Sequence, residues 1–132
     1  MIRKVINIDN YWKVIVYYNI NYNLFSYIAE DLLAINSPVE RIDAIYFNLR
    51  YKAKAVTVSS FKYRTSIVAF NIHKTFNDYL NSIVHEAEHV KQAMLKYYRI
   101  KDKGEPPAYT IGYLAMKMLG IKVMKNLKYK KS

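Results

Sequence analysis

The sequence predicts an α+β fold, with a small, mostly antiparallel sheet packed by helices. Three observations carry the prediction. Short runs dense in β-branched and aromatic residues come in two closely spaced pairs. Longer segments carry apolar residues at helical spacing. Turn chemistry separates the two kinds of segment.

Residues 2–8 and 11–18 read as the first pair of strands, with Asp9-Asn10 as the turn between them. From Tyr22 to Ile35 the spacing becomes helical, and Leu24, Tyr27, Ile28, Leu32 and Ile35 share a face. Asn36-Ser37-Pro38 interrupts it, and a second short helix follows with Val39, Ile42, Ile45, Tyr46 and Leu49 inward. Residues 53–59 and 65–72 read as the second strand pair, with a hairpin over Ser60–Arg64. Thr75 is an N-cap with Asp78 three residues on, an acidic variant of the capping box. A long helix is expected from Phe76 to Tyr98, burying Phe76, Leu80, Ile83, Val84, Ala87, Val90, Met94 and Tyr97, and stopped by Lys101–Gly104. Pro106 and Pro107 suit the first turn of a last helix, which Gly120 ends. This gives one domain over residues 1–120 and a basic tail over 121–132.

Composition narrows the function classes. The 132 residues are 52% hydrophobic, enough for a core, and contain no Cys, which excludes disulfides, thiolate metal sites and cysteine nucleophiles. No apolar run is long enough to span a membrane, and residues 1–10 lack the apolar core of a signal peptide. A cytoplasmic or virion setting is the expectation. The net charge of +11 is lopsided: +2 over residues 1–89 and +9 over residues 90–132. Lys122, Lys125, Lys128, Lys130 and Lys131 stand in the tail without an acid. Such a segment is either a solvated face or a weak contact for polyanions.

The long helix carries His85-Glu86-Ala87-Glu88-His89, an H-E-x-x-H sequence. Chance places this motif in roughly one in 400 chains of this composition. Four helical residues advance about 6 Å and turn about 40° beyond a full turn, so His85 and His89 stack on one face. Two imidazoles so placed converge on one Zn²⁺. Glu86, about 100° round the helix, can reach a water there as general base without ligating the metal. Glu88 is better read as a partner for Lys91 or Gln92.

A catalytic zinc needs a third protein ligand and an open position. Beyond His89 the only acids are Asp102 and Glu105, and His73 is the remaining imidazole. Glu105 opens the last predicted helix. Its alternative role is to complement the helix macrodipole. Tyr109 and Tyr113 follow at successive four-residue steps on the same face, where a phenol could donate to an oxyanion. Gly112 lies between them and would permit close helix approach. His73, two residues before the helix, reads as polar surface or as a second support for the site.

The H-E-x-x-H helix, a loop, and a second helix opening on Gly104-Glu105-Pro106-Pro107-Ala108-Tyr109-Thr110-Ile111-Gly112-Tyr113-Leu114 resemble the gluzincin arm of the zincin metallopeptidases. The short single-domain layout is similar to the minimal zincins of bacteria and phages. The likeness covers roughly residues 66–119. The resemblance implies His85, His89 and Glu105 as zinc ligands, Glu86 as base, and a peptide or protein substrate. It also implies that residues 65–72 form the sheet edge that aligns an extended peptide. The 15-residue spacing from His89 to Glu105 is short for gluzincins, and no third downstream His or Met-turn marks a metzincin. Two readings compete with the peptidase: a non-catalytic phage structural or accessory protein on a zincin-like scaffold, and a basic nucleic-acid-associated protein. Glu86 and Glu105 separate them, since a purely structural zinc needs four filled positions and has no use for Glu86 as a base.

Overall fold

In the computed structural model the described residues are 1–119; the side chains of Glu105, Pro106, Ala108 and Tyr109 and all of residues 120–132 lie outside them. The predicted basic tail therefore falls beyond the described residues. The elements run β1 (Ile2–Ile8), β2 (Trp12–Tyr18), a 3-10 turn (Tyr22–Leu24), α1 (Phe25–Ala34), α2 (Val39–Tyr51), β3 (Ala55–Ser60), β4 (Thr65–Phe70), α3 (Phe76–Tyr98) and α4 (Glu105–Leu119).

Both predicted hairpins form. β1 pairs β2 antiparallel, with Val5 opposite Ile15, and β3 pairs β4 antiparallel, with Thr57 opposite Val68. The sheet order is β1-β2-β4-β3. The two hairpins abut through β2 and β4, which run parallel with Ile15 opposite Ile67. The sheet is thus mixed: two of its three pairings are antiparallel, as expected from the sequence, and the central one is parallel. The physical reason lies in burial. α1 and α2 cover one face and α3 and α4 the other, so the two central strands are buried on both sides. All six residues of β4 are buried, as are six of seven in β2. Near-continuous apolar runs are the mark of such strands, whereas β1 alternates as a strand with one covered face does.

The sheet divides two cores. Val14, Val16, Tyr18, Val68 and Phe70 point to α3 and α4, meeting Tyr79, Ile83, Ala87, Val90, Leu114 and Met118. Ile15, Tyr17, Ile67 and Ala69 point to α1 and α2, meeting Ile28, Leu32, Ile45 and Leu49. Each fully buried aliphatic side chain contributes about 1.5–3 kcal/mol. This placement corrects one expectation: β4 is central, so residues 65–72 are not a sheet edge. Among the described residues β3 pairs only with β4, and β3 is the edge beside α3.

α3 begins as its sequence predicts. The Thr75 hydroxyl accepts from the Asp78 amide at 3.1 Å. Asp78 does not return the bond to the cap; its carboxylate lies 3.7 Å from Lys54 Nζ. The helix ends at Tyr98 as expected, but Arg99 rather than Gly104 caps it: Arg99 takes the left-handed conformation (φ 57°), and the Ile100 and Arg99 amides bond back to the Leu95 and Lys96 carbonyls. That six-to-one, five-to-two pattern is a Schellman motif, which normally uses Gly. The buried stripe of α3 is also rotated. Tyr79, Ser82, Glu86 and Lys91 are buried, while Leu80, Val84 and Tyr97 are about two-fifths exposed.

α4 is held on the sheet at its far end. Tyr18 Oη donates to the Met118 carbonyl, and Lys4 Nζ donates to the Lys117 carbonyl at 2.6 Å. A cation on the last carbonyls also complements the helix dipole. Among the described residues, a Cβ on Gly112 would meet no atom within 4 Å outside its own stretch of helix, so close approach to them does not require that glycine.

Candidate metal centre

Three contacts fix how α3 lies along the edge strand. Lys54 meets Asp78 at the start, Thr57 meets Glu86 in the middle, and Phe61 meets Tyr97 at the end, with ring centroids 5.9 Å apart. Helix and strand therefore run in the same direction. The eight residues from Asp78 to Glu86 advance about 12 Å along the helix. The three from Lys54 to Thr57 advance about 10 Å along the strand. The two elements stay in step over this length.

That register turns Glu86 inward and the two imidazoles outward. The Glu86 side chain is 6% exposed and that of His85 is 69% exposed. Thr57 Oγ1 donates to Glu86 Oε1 at 3.0 Å. The other oxygen, Oε2, lies 3.9 Å from His85 Nε2. A carboxylate taken out of water is costly unless hydrogen-bonded, and Thr57 supplies such a bond. Thr57 escaped the sequence reading because it is one ordinary strand residue in Ala-Val-Thr-Val-Ser-Ser. The available signal was a hydroxyl on the side of the strand opposite Val56 and Val58.

His85 and His89 come together as the i,i+4 spacing demands. Their rings are nearly perpendicular, with centroids 4.8 Å apart and Nε2 atoms 3.3 Å apart. Two lone pairs facing at that distance repel unless a proton or a cation lies between them. Two Zn–N bonds of 2.0–2.1 Å at the tetrahedral angle span about 3.3 Å. The separation of the two nitrogens thus fits a zinc ion, and imidazole nitrogen suits that metal.

The other predicted site residues fall as follows. Asp102 is paired with Lys91 at 2.9 Å, and Lys91 also holds Glu88 at 2.8 Å. Glu88 further accepts from Gln92 at 3.3 Å, so it has both partners that its spacing suggested. This cluster ties the 99–104 loop to the helix just beyond His89. His73 is not polar surface: it is 4% exposed. Its Nδ1 lies 2.7 Å from the Asn71 carbonyl and its Nε2 2.7 Å from Ser82 Oγ, so both ring nitrogens are engaged. Burial pushes its pKa below the ordinary imidazole value. Glu105 is the first residue of α4 and Tyr109 is one turn in; their side chains lie outside the described residues. Tyr113 is 40% exposed under the Lys117 ammonium, 5.6 Å from its ring centroid. Among the described residues no group of three or more His, Asp or Glu side chains is gathered to hold a metal. No helix of the described residues is long and apolar enough to cross a membrane.

The chain matches no protein-family model, no curated protein and no solved structure.

Proposed function

We propose that this protein is a zinc-dependent peptidase of the minimal gluzincin type, with His85, His89 and Glu105 as metal ligands and Glu86 as general base. The observation that carries the reading is the His85–His89 nitrogen pair at 3.3 Å with a buried carboxylate oxygen 3.9 Å from it. Asp102 and His73 are engaged elsewhere, which favours Glu105 as the third ligand. Zinc bound there would polarise the scissile carbonyl and bring the pKa of a water toward 7.

The remaining chemistry belongs to the chain. Glu86 accepts a proton from the attacking water at Oε2 while Thr57 holds Oε1, then delivers it to the leaving amine. The unpaired edge of β3 takes an extended peptide by main-chain hydrogen bonds, bringing a peptide bond past Thr57 and Glu86. Exposed Leu80 and Val84, on the turns around His85, offer that peptide an apolar wall. Tyr109, one turn beyond Glu105, donates to the oxyanion of the scissile carbonyl.

Elemental analysis of the purified protein tests the site. The expected result is one zinc per chain, lost in the double variant His85→Ala, His89→Ala and sharply weakened in Glu105→Gln but not in Asp102→Asn. Glu86→Gln is expected to keep the zinc and lower peptide hydrolysis by about 10²–10⁴-fold. Full zinc occupancy in the double variant refutes the site. Zinc without hydrolysis of any peptide in a broad library moves the protein to the non-catalytic scaffold reading.

A further inference from the structure

About 10–12 Å from Glu86, counted along α3 and β3 toward their N-terminal ends, lies a cavity of about 500 Å³, between the end of α2 and the segment joining β4 to α3. Its volume falls in the range of sites that take small groups. Arg50, Lys52, Lys54 and Lys74 line it, against the single acid Asp78. Among the described residues Lys54 alone of these cations has an ion pair, the 3.7 Å contact with Asp78. The Arg50 guanidinium rests over the Tyr22 ring, 5.1 Å from its centroid, and donates to Tyr46 Oη at 3.1 Å. It is oriented by aromatic groups while its charge stays uncompensated.

The floor is built independently of any ligand. Asn71 Nδ2 donates to the Leu49 and Ala53 carbonyls at 2.6 and 2.9 Å, and Tyr22 Oη donates to Asn71 Oδ1 at 2.5 Å. These bonds fix the last turn of α2 against the end of β4. Arg50 and Lys52 are thereby carried on a braced backbone, and the next residues of the chain are the edge strand itself.

We infer that this cavity is a carboxylate-binding subsite of the peptide cleft, so that the preferred substrate carries an acidic group about three residues from the scissile bond. The inference rests on the peptidase reading and adds the substrate class to it. The spacing follows from the strand: Lys54 precedes Thr57 by three residues, and a peptide paired with β3 has the same rise. Antiparallel pairing is the commoner and slightly stronger arrangement. A peptide so added reaches the cavity with the residues C-terminal to its scissile bond. The carboxylate has two sources, an Asp or Glu side chain or the peptide's own C-terminus.

The test uses the zinc-loaded full chain and short peptides in which one Glu is walked along a neutral background, each made with a free and an amidated C-terminus. Mass spectrometry reads the cut bond. The expected result is that the cut follows the Glu, about three residues on its N-terminal side. Replacing that Glu by Gln lowers kcat/KM roughly tenfold at low salt, a modest figure because the cations are exposed. The variant Lys52→Glu, Lys74→Glu abolishes the preference, so that Glu and Gln peptides are cut at equal rates. Loss of cleavage on amidation identifies the C-terminal carboxylate as the group bound; indifference to amidation identifies the side chain. A cut indifferent both to the Glu and to amidation, with equal rates for all the peptides, overturns the subsite while leaving the peptidase reading in place. If no peptide is cut, the peptidase reading falls, and fluorescence anisotropy of labelled peptides decides the subsite alone. Roughly tenfold tighter binding of the Glu peptide, lost in the double variant, supports it; equal binding overturns it.

Discussion

Thr57 is where a single hydroxyl has the most to decide. It is the donor to Glu86 Oε1, and the carboxylate it holds is nearly enclosed. Thr57→Val removes the donor with little change of shape. Hydrogen bonds to charged groups contribute about 1.5–3 kcal/mol, so a loss of that order is expected in thermal or denaturant unfolding. Peptide hydrolysis is expected to fall roughly tenfold at unchanged zinc content, because a base out of position loses proximity. Thr57→Ser, which keeps the hydroxyl, is expected to restore both.

His73 gives a second prediction at the same scale. Its pKa is lowered in the native state by burial, with Lys54 adding to the effect and the Asn71 carbonyl opposing it. The unfolded chain takes up the proton near the ordinary value of 6.5, while the native chain does so only at lower pH. Below that value the unfolded state therefore binds more protons. The contribution of neutral His73 is fully present above about pH 6.5 and is lost as pH falls toward the native pKa. Melting temperature should drop between pH 7.5 and pH 5.5, and His73→Gln should flatten that part of the profile. An unchanged slope in the variant would remove His73 as its source.

At the scale of elements, α3 and its exit determine what lies near the His85–His89 pair. The Schellman motif ends the helix at Tyr98, and Lys91 then draws in the following loop through Asp102. Together they set where α4, and with it Glu105, begins. The motif is made with Arg99 at φ 57°, a conformation that costs an L-residue roughly 1–2 kcal/mol and glycine almost nothing. Arg99→Gly is accordingly expected to stabilise the protein by roughly 1 kcal/mol, about 3–5 °C in Tm. The measurement is calorimetry, with zinc content as a control that α4 has kept its place. Destabilisation would mean that the Arg99 side chain has a structural role of its own.

For the whole molecule, charge is divided between two regions. The basic cavity at the end of α2 lies in the domain, while five lysines lie in residues 121–132. Deleting that segment lowers the net charge from +11 to +6. If the lysines contact polyanions, deletion should weaken DNA binding and reduce the slope of log K against log salt by up to about 4.5. Zinc content and peptide hydrolysis should be unchanged, because the proposed ligands lie in α3 and at the head of α4. Salt-independent, sequence-specific DNA binding would contradict a counterion-driven contact.

Local chemistry determined the elements. β-branched runs specified the strands, 3.6-residue spacing the helices, and Thr75 the start of α3, because each signal lies within a few residues of the structure it directs. The same locality made the 3.3 Å approach of His85 and His89 legible, since both sit on one helix. Only the tertiary structure decided that β2 and β4 meet in parallel, which moved the sheet edge from β4 to β3. It also decided that Glu86 is buried against Thr57, that His73 is enclosed by Asn71 and Ser82, and that four cations gather around one cavity. Each of these depends on which helix covers which face of the sheet. That choice is made by the summed burial of two cores, and no short stretch of sequence holds it.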